Sequence, residues 1–184
     1  MADDLWLVLG TWAAVSTAIF AVWRETENNN KTRKLNGLAL VFQKLNGETQ
    51  RYARKQVVTA YYQYLKKNDE PLEYTPFNFE DHPVYDIVQF DKNVLPYVEI
   101  VRADFEEIAV MIKNGLVDQK AFFDAYWGAM LRCYMALHGY IETVREKSGT
   151  KEYTIYFQEQ SEEHCLSYWR DNHYDSDIIF YADQ

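Results

Sequence analysis

Four potential metal ligands lie close together near the carboxyl terminus of the sequence: Glu163, His164, Cys165 and His173. Carboxylate, imidazole and thiolate groups are the ligands that zinc takes in proteins. Adjacent residues on a helix point about 100° apart, so His164 and Cys165 would reach one ion only if the helix were bent. We therefore favour a solvated helix face followed by a tail, and whether these residues bind a metal stays open.

Other spacings that carry catalysis or metal binding do not occur in the sequence. Helical bundles bind metal pairs through Glu-x-x-His, but the residues three positions before the four histidines are Phe79, Met135, Ser161 and Arg170. Cys-x-x-Cys, His-Glu-x-x-His, Gly-x-Ser-x-Gly and glycine-rich phosphate loops are also missing. Cys133 and His138 are five positions apart, a spacing that places their side chains on different faces of a helix, so Cys133 is expected to be a buried thiol. The prediction is a protein with no catalytic, cofactor-binding or metal-binding residues, and not an enzyme.

Two adjacent acids, Glu106 and Glu107, are the remaining candidates for acid–base chemistry. Neighbours in mid-helix point to different faces, so one solvated and one ion-paired carboxylate are expected instead. The candidate partners of Glu106 are Arg102, Arg132 and Arg145. We expect Arg145 to tie the end of its helix to the acidic stretch that contains Asp86 and Asp91.

The elements that would position these side chains are helices. Apolar residues at helical spacing predict helices over about 35–45, 48–67, 94–113 and 119–148, and a last one within 153–169 whose start also alternates like a strand. Gly47 and Gly115 are expected to end two of them, Gly47 in the left-handed conformation, while Asn93 and Asp118 are expected to cap two others. Three prolines break the acidic crossover 68–83.

The first helix is of a different kind, because Leu5–Trp23 contains no charged or amide side chain. At about 1.5 Å per residue it matches the apolar thickness of a bilayer, so it predicts a single transmembrane helix. The predicted fold class is all-α: a single N-terminal transmembrane helix followed by an antiparallel bundle of about four to five helices. The predicted segments are an anchor at 1–24, a basic hinge at 25–34 (or a solvated extension of the anchor helix), a helical domain at 35–172 and an acidic tail at 173–184.

Charge is strongly segregated along the chain, whose net charge is −9. Residues 24–67 carry ten basic against three acidic side chains, and residues 68–99 carry eight acidic side chains against Lys92. The basic residues that directly follow the apolar stretch are expected to lie near anionic lipid headgroups: Arg24, Lys31, Arg33 and Lys34. None precedes that stretch, which predicts a plasma-membrane protein with its amino terminus outside and its domain in the cytoplasm. Nucleic-acid binding is not expected, since no recognised fold signature accompanies the charge.

Self-association is a further expectation from the apolar helix. Gly10, Ala14 and Ala18 recur every four residues and form a stripe that would let two helices pack closely. With only two cysteines and a domain expected in the cytoplasm, reduced thiols are predicted.

Residues 93–149 resemble an uncharacterised bacterial family of short membrane-anchored proteins, known as a domain of unknown function. The similar features are the run Phe105–Ala109, the turn Gly115–Asp118, Arg145 and, in the last helix, Trp169. The resemblance implies the layout of an amino-terminal anchor and a helical domain, here in the bacterial inner membrane. Some relatives are likened to phage abortive-infection proteins.

Fold class and charge favour a membrane-anchored helical module that binds or regulates other proteins. The alternative is an effector or accessory of anti-phage defence, and the third is an enzyme with an unrecognised site.

Overall fold

The computed structural model describes the backbone of residues 2–68, 70, 73–74, 85–165, 167–168, 171 and 178–179. Side chains are described for the same residues except 2–21, 73–74 and 178–179. The helices are α1 (Ala2–Leu45), α2 (Glu48–Lys67), α3 (Ile87–Phe90), α4 (Leu95–Lys113), α5 (Gln119–Ser148) and α6 (Ile155–Glu159). A 3₁₀ turn (Lys92–Val94) precedes α4, and a π-helix (Gln160–Cys165) follows α6. Two short strands, β1 (Glu73–Tyr74) and β2 (Ile178–Ile179), pair antiparallel.

The transmembrane helix of the predicted fold class is not supported. No helix is long and apolar enough to cross a membrane in the part of the chain that the structure describes. The side chains of α1 that are described begin at Val22, and from there to Asn36 most of them are charged or polar and exposed. The predicted span Leu5–Trp23 falls almost entirely on side chains outside the described residues. Orientation and localisation depend on that span and stay predictions.

α1 runs without a break through the segment predicted as a hinge. Residues 25–34 are helical, which agrees with the alternative of a solvated helical extension. An ion pair between Lys31 Nζ and Glu27 Oε1, at 2.7 Å, supports the helix at i,i+4 spacing. The exposed part of α1 is therefore a continuous helix, and among the residues that the structure describes it meets the body of the protein near Gly37.

The body of the protein is built from α2, α4, α5 and α6 around one apolar core. α5 lies centrally, and buried residues occur on more than one of its faces between Met130 and Ile141. Phe157 of α6 stacks on Phe105 of α4 at 5.2 Å and meets Tyr134 of α5 edge-on at 5.3 Å. These ring contacts fasten the short α6 to the two long helices.

Two glycines allow close approach of one segment to another. A Cβ on Gly37 would lie 2.1 Å from the carbonyl oxygen of Leu116, so α1 crosses the α4–α5 connection there without space for a side chain. A Cβ on Gly139 would lie 2.1 Å from the carbonyl oxygen of Tyr85, where the chain entering α3 passes over α5. Both contacts would be lost with any larger residue.

Several predicted helix ends are confirmed and others are wrong. Asp118 caps α5 by accepting a hydrogen bond from Ala121 N at 3.0 Å, and Gly115 has the left-handed φ of +65°. Gly47 has φ −56°, so it is not the left-handed end of α1 but the residue directly before α2. The side chain of Asp91, rather than that of Asn93, accepts a backbone hydrogen bond before α4. The Asp91 side chain therefore takes the capping role that was predicted for Asn93.

The crossover and the tail are described only in part. β1 lies within the predicted crossover 68–83 and β2 within the predicted tail 173–184, and the two pair in register Glu73 to Ile179. The other residues of these segments lie mostly outside the described residues.

Candidate functional site

A groove of about 450 Å³ lies where the end of α1 meets the start of α2 and the carboxyl-terminal half of α4. Apolar side chains contribute much of its wall: Leu40, Val41, Ile108 and Met111. The polar side chains that line it are Gln43, Lys44, Gln50 and Glu107. This combination of a mostly apolar wall and a few convergent polar groups is typical of small-ligand sites.

Helical spacing on α4 builds one side of the groove. Asp104, Glu107, Ile108 and Met111 follow one another at i, i+3, i+4 and i+7, so they share one face of that helix. α1 supplies the other side through its last turns before Leu45, whose carbonyl oxygen accepts a hydrogen bond from Arg54 Nη2 at 2.7 Å. The groove therefore exists because α1 docks on α4.

A three-charge cluster borders the groove. The Lys44 ammonium lies 3.1 Å from Asp104 Oδ1 and donates a hydrogen bond to Glu107 Oε2. The exposed fractions of the Lys44, Asp104 and Glu107 side chains are 31%, 11% and 60%. Partial burial opposes protonation, but the hydrogen bonds to Glu107 and Asp104 outweigh it and raise the pKa of Lys44. The cluster thus joins α1 to α4 and carries one net negative charge, with Lys44 and Glu107 lining the groove and Asp104 bound to Lys44 beside it.

A second polar cluster surrounds Glu99 on another part of α4. Glu99 Oε2 accepts two hydrogen bonds from Arg102, at 3.1 and 2.8 Å, and Oε1 accepts one from Tyr140 OH at 2.5 Å and one from Tyr153 OH at 3.4 Å. Burial would raise the pKa of Glu99, but the hydrogen bonds from Tyr140 and Arg102 outweigh it and lower the pKa. Arg102 also lies over the Tyr153 ring at 4.9 Å. All four groups are used in joining α4, α5 and the connection to α6.

A third cluster lies where α5 packs on the π-helix. Tyr134 OH donates a hydrogen bond to Glu162 Oε1 at 2.6 Å, and Gln158 Nε2 donates to both oxygens of Glu162 at 3.0 Å. His138 packs near the Tyr134 ring, and burial lowers its pKa, although Glu142 and Glu162 act in the opposite direction. π-Helices are rare and often occur at functional sites, so this cluster is a second place to look for function.

Arg145 does not reach the acidic stretch with Asp86 and Asp91, and that prediction is wrong. Its Nε and Nη2 donate to the Tyr153 carbonyl oxygen at 3.0 and 2.8 Å, and its Nη1 donates to Glu142 at 2.6 Å. The nearby backbone carbonyl after α5 competes successfully with the distant carboxylates.

None of the predicted arginines is the partner of Glu106 in the hydrogen bond that the structure shows. Glu106 Oε2 accepts a hydrogen bond from the Phe157 backbone N–H at 2.8 Å. The carboxylate thus satisfies a donor in the first turn of α6, where such donors have no partner within the helix. Glu107 is the acid that forms an ion pair, with Lys44.

The candidate metal ligands do not converge in the described part of the chain. No group of three or more potential ligands there could hold a metal ion. Cys165 is buried, and burial raises the pKa of its thiol, whereas His164 lies near the Phe123 ring. His173 lies outside the described residues. Cys133 is also buried, and burial raises the pKa of its thiol to about 12.

The fold and these three clusters define a small helical domain with a long leading helix. The sequence of residues 11–162 matches a family described as a domain of unknown function (DUF4760), and the chain belongs to this family. No curated protein and no solved structure matches the chain. The predicted membership of an uncharacterised family is therefore confirmed. The link to abortive infection stays a prediction.

Proposed function

We propose that this protein is a helical interaction or regulatory module that binds another protein through the exposed part of α1, defined as residues 22–36. The carrying observation is the exposure of this segment. All of its side chains are exposed except that of Glu27, which is partly buried, whereas Gly37, Val41 and Leu45 are buried where α1 meets the body. At 1.5 Å per residue the exposed segment is roughly 22 Å long.

A helix that is polar on every face either bridges two structures through solvent, is stabilised by many i,i+4 pairs, or is not stable, and we take the first of these here. Residues 24–34 have this character, since every side chain among them is charged, an amide or a threonine. α1 continues toward the amino terminus beyond this stretch as helix. The arrangement suits a spacer that holds the body at a distance from whatever the first half of α1 contacts.

The exposed segment also has a chemistry that a partner could recognise. It combines the four basic side chains Arg24, Lys31, Arg33 and Lys34 with only two acidic ones, Glu25 and Glu27. Leu35, an apolar residue within this segment, is 66% exposed. A partner surface with acidic side chains and an apolar patch would complement it.

Site-specific photo-crosslinking in the full chain tests this proposal. A photoreactive residue at Thr32 or Leu35, on the exposed segment, is compared with one at Lys147, an exposed position at the end of α5. We expect one dominant crosslinked protein from the two α1 positions and none from Lys147. Equal crosslinking at all three positions would refute the proposal, and a crosslink between two copies of the chain would identify the partner as the protein itself.

The alternatives are distinguished by the same purified material. A copurifying nucleotide or metal ion would favour an enzyme over an interaction module. A role in anti-phage defence stays a prediction, and a crosslinked partner of phage origin would favour it.

A further inference from the structure

We propose that the groove between α1 and α4 is a binding site for a small organic cation with an apolar body, such as a primary alkylammonium. The site goes beyond the proposed interaction function, because it lies at the carboxyl-terminal end of α1 and uses different residues from the exposed segment. Its volume of about 450 Å³ falls within the range of small-ligand sites in proteins.

The apolar body of such a ligand would find matching walls. Ile108 and Met111 come from one face of α4, and Leu40 and Val41 face them from α1. Leu40 is the most exposed of these four side chains, and its outward position leaves apolar surface that a ligand could cover. Gain from burying this surface does not depend on the sign of the ligand's charge.

The charged side chains at the border of the groove favour a positively charged ligand. Two carboxylates, Asp104 and Glu107, share the single ammonium of Lys44. A second cation placed near the exposed Glu107 would bring the local charge from −1 to zero. Gln43 and Gln50 add neutral amides whose carbonyl oxygens can accept hydrogen bonds from an ammonium group.

An anion would meet the opposite situation. It could pair with Lys44 only by displacing Glu107 or Asp104, since the ammonium already binds both carboxylates. Displacing Asp104 would leave a nearly buried carboxylate without its partner, which is costly. The groove is therefore expected to bind an alkyl carboxylate more weakly than an alkylammonium of the same chain length.

Titration of the full chain with three probes of equal chain length tests this inference: hexylammonium chloride, hexanol and sodium hexanoate. The chain contains four methionines, so methionine-methyl NMR gives few signals, and a Met111→Leu variant assigns the one in the groove. We expect hexylammonium to shift the Met111 signal in a saturable way, hexanol to do so more weakly, and hexanoate to have the weakest effect. Equal effects of hexylammonium and hexanoate would overturn the assigned charge preference.

Two variants locate the site on the groove. Glu107→Gln should weaken hexylammonium binding about fivefold, the effect of removing one surface charge partner, while leaving hexanol unchanged. Leu40→Ala should weaken both ligands, and it is safe for the fold because Leu40 is 62% exposed. The control Glu146→Gln, an exposed acid on α5, should change neither. If Glu107→Gln and Glu146→Gln bind hexylammonium alike, or if no probe shifts the Met111 signal, the proposal is wrong.

Discussion

The partly buried charges of Glu99 and Arg145 are satisfied by several hydrogen bonds rather than by single ion pairs. Glu99 accepts from Tyr140, Tyr153 and Arg102, and Arg145 donates three hydrogen bonds to two acceptors. An ion removed from water is tolerated only when such bonds replace its hydration. Removing one member of a cluster should therefore cost more than an exposed ion pair would contribute.

Arg145→Ala should destabilise the protein by about 2–3 kcal/mol, because it leaves the Tyr153 carbonyl oxygen and Glu142 without their donor. The side chain is 12% exposed, so water replaces it poorly. Urea unfolding followed by circular dichroism measures the change. Lys147→Ala, two residues away and exposed, is the matched control and should stay within about 0.5 kcal/mol of the parent. Equal effects of the two substitutions would show that the arginine hydrogen bonds contribute little.

His138 should make the protein less stable as the pH falls below neutral. Burial holds the pKa of His138 in the folded state below its ordinary value of 6.5, so the unfolded state binds the proton more tightly. Stability from this residue is complete above pH 6.5 and is lost as the pH falls through 6.5 toward the folded-state pKa. The free energy of unfolding of the parent, measured from pH 7.5 to 5.5, should decrease, and His138→Gln should flatten that decrease. An unchanged slope in the variant would assign the pH dependence to other groups.

At the scale of elements, replacing glycine by alanine should have opposite effects on stability at two positions inside α5. Gly139→Ala should destabilise the protein by about 1–3 kcal/mol, since the new Cβ would overlap the backbone at Tyr85. Gly128→Ala should stabilise it by up to about 1 kcal/mol, because alanine favours helix and the nearest atom to the new Cβ is the flexible Arg132 Nη2 at 3.9 Å. Thermal melts of the two variants beside the parent give the comparison. A stabilising Gly139→Ala would mean that the chain before α3 moves freely away from α5.

Much of the helical organisation could be predicted from the sequence because local signals determine it. α2 occupies the predicted residues 48–67, and α5 occupies the predicted residues 119–148 directly after its predicted cap, Asp118. The rotation of a helix about its axis is less well determined by its own sequence. Tyr52 of α2 is aromatic and yet 52% exposed, because α4 and α5 pack on the face that carries Val57 and Tyr61. Side-chain patterns of neighbouring helices decide such rotations.

The groove and the π-helix could not be predicted, for a physical reason. Lys44 and Asp104 are sixty positions apart, and only the docking of α1 on α4 brings them together. α6 begins after Thr154, whose φ of +54° is left-handed, and the π-helix that follows α6 buries the polar residues Gln160 and Ser161. No local propensity favours either feature. Tertiary packing overrides local preference at both places.

At the scale of the whole molecule, α1 differs from the other long helices in where its stability comes from. α2, α4 and α5 each contribute several buried side chains to one core, whereas α1 contributes chiefly Val41 and Leu45 beyond its contact at Gly37. A helix segment with few buried contacts exchanges its amide hydrogens through local opening rather than through global unfolding. Amide hydrogen exchange should therefore be fast in the exposed part of α1 and slow in the part that packs on the body.

We expect amide hydrogens of residues 22–35 to exchange rapidly and those of residues 41–45 to be protected, as measured by hydrogen–deuterium exchange with mass spectrometry on the full chain. Gly37→Ala should reduce protection in 38–45, because the Cβ would overlap the Leu116 carbonyl group and push α1 off the body. Peptides from the centre of α5 should keep their protection, since their buried contacts do not involve this crossing. Asn36→Ala, one residue earlier and exposed, is the matched control and should leave all peptides unchanged. If Gly37→Ala and Asn36→Ala give the same exchange pattern, the crossing at Leu116 does not hold α1 in place. The groove beside Lys44 would then be maintained by the ion pairs of Lys44 with Asp104 and Glu107 and by the burial of Val41 and Leu45.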